Sequence, residues 1–253
     1  MTERHSKATI ISMAVLASAL ATFLHEAVGH GVTAWLRGDV PTELTSNHLS
    51  TLHPDKWVEA GGTIVNLFLG AVSIVLSGDR GLSANRRYFL WLFAAFSLLA
   101  GSGYFLFSGI IGVGDWRAVI EGWPHPVAIR ITMSIIGGGL YFLTVRLLAI
   151  AVRPFCPTRS AYNVVGRLPY LAACLFSCAA GALDPLGLKL FFLSTVPAAF
   201  GGHSGLLWAD SLMPKQCKEQ PLTVERAPAW WIAAIVLGLA YILVLGRGIH
   251  FAR

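Results

Sequence analysis

Charge is what this sequence has least of. Asp, Glu, Lys and Arg make up 13% of its 253 residues, about half the ~25% of a water-soluble domain, and they fall in short gaps between long apolar runs. Cysteine is scarce as well: Cys156, Cys174, Cys178 and Cys217 form no CxxC pair and no regular framework, which excludes a disulfide scaffold and zinc-ribbon chemistry. No repeat and no low-complexity tract is visible, and the longest polar stretches, Arg37 to Lys56 and Ala209 to Arg226, are too short to form a domain. What remains is apolar, with 55% hydrophobic residues and a mean hydropathy of +0.64. A formal charge of +6 hints at nucleic acid, but the basic residues lie between apolar segments, where membrane topology accounts for them. No nucleic-acid partner is expected.

A bilayer crossing takes about 20 mostly apolar residues. Such segments occur at roughly 8 to 36, 58 to 78, 88 to 113, 127 to 152, 168 to 184, 187 to 208 and 229 to 247. Asp184, Pro185 and Gly187 interrupt the stretch between residues 168 and 208, leaving either two short spans or one span with a re-entrant piece; the reading here favours two. The expected fold class is therefore all-α, a polytopic bundle of six to seven transmembrane helices. It forms a single integral membrane domain over residues 1–253, with connecting loops and the lipid bilayer as its surroundings.

Trp35, Trp57, Trp91, Trp116, Trp208, Trp230 and Trp231 fall near the ends of these spans, as the aromatic belt of a membrane protein does. With seven spans, most basic residues, among them Arg80, Arg86, Arg146, Arg153 and Arg159, share one side. The positive-inside bias then leans the N-terminus of this multi-pass protein towards the cytoplasm.

The first span carries the chemistry. Thr22-Phe23-Leu24-His25-Glu26-Ala27-Val28-Gly29-His30-Gly31 puts two histidines and a glutamate into an apolar helix, where an ionisable group is costly and by default marks a functional site. Imidazoles and a carboxylate are also the ligands and general base of a catalytic zinc ion. The spacing is one residue longer than HExxH. At about 100° per residue, five steps leave two side chains about 140° apart, so His25 and His30 cannot share a metal in a regular α-helix. A π-bulge brings them back to one face, and Gly29 makes such a distortion cheap. In an undistorted helix the aligned pair is Glu26 with His30, four apart, which is a hydrogen bond with no metal.

This arrangement resembles the site-2 protease family of intramembrane zinc metalloproteases, whose first core span carries HExxH, the second Gly-Pro-x-x-Asn and the third an Asp-Gly pair. Here the first span has His25, Glu26 and His30, the second Gly62-Thr63-Ile64-Val65-Asn66, and the end of the third Gly114-Asp115-Trp116. The order matches over about residues 8 to 118; one residue is inserted in the first motif, Thr63 replaces Pro, and Trp116 replaces Gly. The HExxGH spacing is similar to that of the dipeptidyl peptidase III family of zinc peptidases. The resemblance implies a three-span metalloprotease core in residues 1–118, with accessory helices in 119–253. It also implies Zn²⁺ held by His25, His30 and Asp115, Glu26 as catalytic base, and Asn66 as a positioning donor for the substrate backbone or the oxyanion. The substrate would be a membrane-protein segment, cleaved in or next to the bilayer.

The residues alone leave rival readings open. Asp115 follows Gly112 and Gly114 and has the position of a residue that ends a span. Asn66 is equally a helix-packing polar group. A metal-binding relative without turnover, acting through membrane partners, keeps the same histidines. A transporter or proton relay would use Glu26, His30, Asp115 and His203. His203, in Gly201-Gly202-His203-Ser204-Gly205, is a reserve ligand, a proton-transfer group or a packing residue, and His48 and His53 lack the helical context of a second metal site.

Overall fold

The computed structural model describes residues 5–53, 55–215 and 220–251; Cys217 lies outside them. The long apolar runs fold as helices, because a backbone shielded from water must satisfy its own N–H and C=O groups. In chain order the elements are α1 (Lys7–Leu36), β1 (Pro41–Leu44), β2 (Leu49–Thr51), α2 (Lys56–Leu76), α3 (Ala84–Ile111) and α4 (Asp115–Val119). They are followed by α5 (Pro126–Ala151), α6 (Arg159–Gly181), α7 (Gly187–Leu212), α8 (Pro228–Leu245) and β3 (Ile249–His250). All of the α elements except the five-residue α4 are long and apolar enough to cross a membrane, which makes seven among the described residues. The doubtful stretch thus divides in two. Asp184 makes the break: its carboxylate accepts from the Leu186 N–H at 2.9 Å, and Gly187 takes a left-handed φ of +74° as α7 begins.

Local chemistry sets the helix starts. Ser6 and Asp55 cap α1 and α2 through side-chain oxygens that accept the Thr9 and Trp57 N–H groups, and Ser83 does the same for α3. Each satisfies a donor that the first turn would otherwise leave bare. Pro126 and Pro228 open α5 and α8, where a missing N–H costs nothing.

The buried core runs along α3, which packs against α1, α2 and α5. Tyr88, Trp91, Phe96 and Leu99 of α3 meet Ile10 and Met13 of α1 and Val145 and Leu148 of α5, all essentially inaccessible. Trp91 corrects the belt expectation: it is 1% exposed, and its indole N–H donates to the Leu148 carbonyl at 3.1 Å. It is a core residue with a satisfied polar tip. Trp35 and Trp57, in contrast, are exposed. The outward faces are apolar too, as Ile232, Ile235, Val236 and Leu239 of α8 illustrate.

The other departure from the all-helical expectation is a three-stranded antiparallel sheet of order β2-β1-β3. Its first two strands lie in the loop after α1. The third arrives from the far end of the chain, which no local pattern announces. By alternation of direction, the ends of α1, α3, α6 and α8 and the starts of α2, α5 and α7 lie at one end of the bundle, and the sheet sits there.

Candidate metal centre

Within α1 the residues Leu24–His30 form a π-helical segment. The Gly31 N–H donates to the Glu26 carbonyl five residues back, which is the wide-turn hydrogen bond that defines this geometry. The wide turn is what brings His25 and His30 together, with ring centroids 4.8 Å apart and planes at 84°. Both are buried, as is Glu26 between them.

Ligand atoms of His25, Glu26 and His30 all lie within 4.8 Å of one another. Asp115 approaches more closely still: its Oδ2 is 3.2 Å from His25 Nε2 and 3.6 Å from His30 Nε2, whereas the Glu26 oxygens lie at 4.0 and 3.8 Å. Metal–ligand bonds of about 2.0–2.2 Å in a tetrahedron separate neighbouring ligand atoms by about 3.3–3.6 Å, close to the 3.2 and 3.6 Å from Asp115 Oδ2 to the two imidazoles. Asp115 reaches this position after α3 ends at Ile111, through Gly112 and Gly114. Their φ values of +67° and +84° lie in the left-handed region that favours glycine.

The hydrogen-bond role of His30 supports the same fit. The Val58 carbonyl can only accept, so His30 Nδ1–H donates to it at 2.7 Å, and neutral His30 therefore carries its lone pair on Nε2. Asn66 presents its amide Nδ2 to His25 Nδ1 at 3.1 Å, so the N–H donates to Nδ1 and a neutral ring carries its proton on Nε2, facing Asp115. A half-turn of the amide sets its oxygen against Nδ1–H and frees the Nε2 lone pair; that is the form a metal ligand requires, with the far ring nitrogen held by a second polar group. His25 Nε2, Glu26 Oε2 and Asp115 Oδ2 are buried atoms with no hydrogen-bond partner among the described residues, and buried polar atoms without partners are uncommon. A divalent cation held by His25 Nε2 and Asp115 Oδ2 would satisfy those two atoms, and a water on the cation would meet Glu26 Oε2, so the residues fit a metal.

The walls are close. A Cβ on Gly62 would stand 2.5 Å from His25 Nε2 and 2.7 Å from His30 Nε2. The Tyr104 ring stacks on His25 at 5.1 Å, nearly parallel. Trp116 Nε1–H donates to Thr63 Oγ1 at 3.0 Å. The backbone N–H of Leu49 in β2 faces the Glu26 carboxylate, and Glu59 lies in the electrostatic field of His25, His30 and Asp115. Asp115 is the least buried member, with 16% of its side chain exposed, so the group is accessible from its side.

Of the residues read from the sequence, His25, Glu26, His30, Asp115 and Asn66 come together. Asn66 meets the back of an imidazole, 3% exposed, where its amide orients a ring. His203 does not join them: its Nδ1 faces the Ala199 carbonyl at 3.2 Å and its ring packs edge-on to Phe96. His53 pairs with Asp39, and His48 lies between Glu43 and Asp184. Sequence reasoning missed Tyr104 and Glu59. Glu59 stands three residues, about one helical turn, before Gly62, and that spacing was its only signal. Comparison with protein-family models, with curated proteins and with solved structures finds no match to this chain.

Proposed function

We propose that this chain is a multi-pass integral membrane protein and a zinc-dependent intramembrane endopeptidase of the site-2 protease type, with His25, His30 and Asp115 as metal ligands. The observation that carries the reading is the π-helical turn that points two imidazoles five residues apart at one carboxylate from a later helix. Asp115 is the preferred third ligand because it is nearer to both ring nitrogens than Glu26 is. This leaves Glu26 free as a base.

A zinc ion at this position supplies Lewis acidity and lowers the pKa of water towards 7. Glu26, buried and without a partner on Oε2 among the described residues, accepts a proton from the attacking water and passes it to the amide nitrogen as the C–N bond breaks. Water and a peptide bond thus become a carboxylate and an amine. Asn66 keeps the His25 ring turned to the site, and the lack of a Cβ on Gly62 leaves room beside both imidazoles. A helical substrate hides its carbonyls in its own hydrogen bonds, so the segment must be extended when it is cut. The outer edge of β2 has no paired strand among the described residues and runs beside Glu26, which suits an extended backbone.

The test uses the full chain purified in detergent and a co-expressed, tagged single-span membrane protein. One zinc per chain is expected, with cleavage in the wild type. Glu26→Gln retains the metal and loses cleavage, and His30→Ala loses the metal. Zinc bound without cleavage by the wild type against a broad set of such substrates would support the alternative, a metal-binding relative that works through partners. A chain that binds no divalent metal would end the reading. The relay alternative loses its fourth member, since His203 is engaged with Ala199 and Phe96.

A further inference from the structure

We infer that Trp116 and Thr63 act as one positioning pair, in which the indole N–H of Trp116 fixes Asp115 over the two imidazoles by bonding to the residue that follows Gly62. The inference rests on the reading of His25, His30 and Asp115 as metal ligands. Two of those ligands are on the membrane-length α1. Asp115 is not: it opens the five-residue α4 behind two left-handed glycines. A ligand on so short an element needs an anchor, because a metal site tolerates errors of only about 0.5 Å in its ligands.

Trp116 provides that anchor. Its Nε1–H donates to Thr63 Oγ1 at 3.0 Å, and Thr63 is fully buried. The Phe105 ring lies against the indole with centroids 4.3 Å apart, which holds the indole in the plane where its N–H meets the hydroxyl. Thr63 directly follows Gly62, the residue that touches both imidazoles. One hydrogen bond therefore joins the neighbour of the third ligand to the neighbour of the wall behind the other two.

Thr63 and Trp116 are also the two positions at which the second and third motifs depart from Gly-Pro-x-x-Asn and Asp-Gly. Proline has no hydroxyl and glycine no indole, so either change alone would leave an unpaired polar group near the site. The bond requires both. The competing account is an ordinary interhelical hydrogen bond, which would stabilise the fold without affecting the metal.

Zinc affinity, measured by competition with a chromophoric chelator, and thermal unfolding of the metal-free protein separate the two, both on the full chain in detergent. Trp116→Phe keeps the ring contact and removes the N–H; Thr63→Val removes the hydroxyl. Each is expected to weaken zinc binding about 10- to 100-fold, as outer-shell substitutions do. The double variant is expected to be no weaker than either single one, the signature of a shared interaction, and Thr63→Ser is expected to retain wild-type affinity. Unchanged affinity with a lowered unfolding midpoint would overturn the inference in favour of plain helix packing, and additive losses would overturn it by making the two residues independent. Failure of the underlying reading has a different result: the wild type then binds no zinc, and His25→Ala is indistinguishable from it.

Discussion

Gly29 of α1 and Gly62 of α2 meet backbone to backbone: a Cβ built on Gly29 would run into the Cα of Gly62, and one built on Gly61 would run into the Gly29 carbonyl. The contact falls inside the π-helical segment, so the widened turn and the closest helix crossing coincide. Small residues allow such approaches in membrane bundles. Here they also put the Cα of Gly62 against the imidazoles, with no side chain between.

Three alanine substitutions are therefore expected to differ in kind. Gly62→Ala places a methyl 2.5 Å from His25 Nε2 and lowers zinc affinity by more than about 10-fold, on the scale of outer-shell damage. Gly29→Ala forces two backbones apart and lowers stability by about 1–3 kcal/mol, as overpacking does. Gly31→Ala, whose new methyl finds Leu49 Cδ1 at 3.4 Å, leaves both nearly unchanged. Zinc titration and thermal unfolding of the three variants check this, and similar behaviour at all three positions would refute it.

Asn66 separates ring orientation from oxyanion binding. Asn66→Ala leaves His25 Nδ1 without its 3.1 Å partner and is expected to cost about 10- to 100-fold in zinc affinity. Asn66→Asp can only accept, which holds the proton on Nδ1 and the lone pair on Nε2, and is expected to hold zinc at least as well as the wild type. Should Asn66→Ala bind zinc normally yet lose turnover at saturating metal, the amide acts on substrate and not on the ring.

The span pattern and the His25, Glu26 and His30 trio were legible in the sequence because both are local, whereas Asp115 and Asn66 were reached only through the family resemblance. Apolar run lengths give helices, and an ionisable trio in such a run is conspicuous. The π-turn was legible only as a condition, since the geometry of five-residue spacing requires it if the histidines are to cooperate, but an ordinary helix with a Glu26–His30 bond satisfies the same letters. Long-range relations outside that resemblance left no trace. β3 pairs with β1 across some 200 residues of chain, Trp91 is buried by helices from elsewhere, and Tyr104 stacks on His25 only because α3 returns beside α1. Asn66 was seen as polar and intramembrane, but which face of which ring it would meet depends on the α1–α2 crossing.

Asp55 gives a pH dependence outside the helices long and apolar enough to cross a membrane. Its carboxylate is held below the usual aspartate range chiefly by the Trp57 N–H, with Arg37 adding to it. A depressed carboxylate stabilises the fold above its unfolded pKa of about 3.9, and that stabilisation is lost as the pH falls through the folded value. The difference in unfolding midpoint between wild type and Asp55→Asn, which keeps a capping oxygen but does not titrate, is therefore expected to change on acidification below about pH 4. At neutral pH, Asp55→Ala is expected to lose about 1 kcal/mol of helix capping. The Arg37 pair adds little to this, since Arg37 is 52% exposed and exposed ion pairs contribute little. Parallel acid unfolding curves for wild type and Asp55→Asn would show that the cap does not report on folding.

Asn47, in the turn between β1 and β2, ties the sheet to the helices through both ends of its amide. Its Nδ2 donates to Asp184 Oδ2 at 2.9 Å, and its Oδ1 accepts from Thr195 Oγ1 at 2.9 Å. The Asp184 side chain is fully inaccessible, so a lost donor cannot be replaced from bulk water. Asn47→Ala is expected to destabilise by about 1–3 kcal/mol, the cost of leaving buried polar groups unpaired. Asn47→Asp is expected to cost more, because it sets a second carboxylate against the first in a site with little water. Hydrogen exchange at residues 41–51 would rise in both variants while exchange along α3 stays slow, which separates local release from global loosening. If the 41–51 amides stay protected in Asn47→Ala, pairing of β1 with β2 and β3 is sufficient to hold the sheet, and the amide bridge is dispensable.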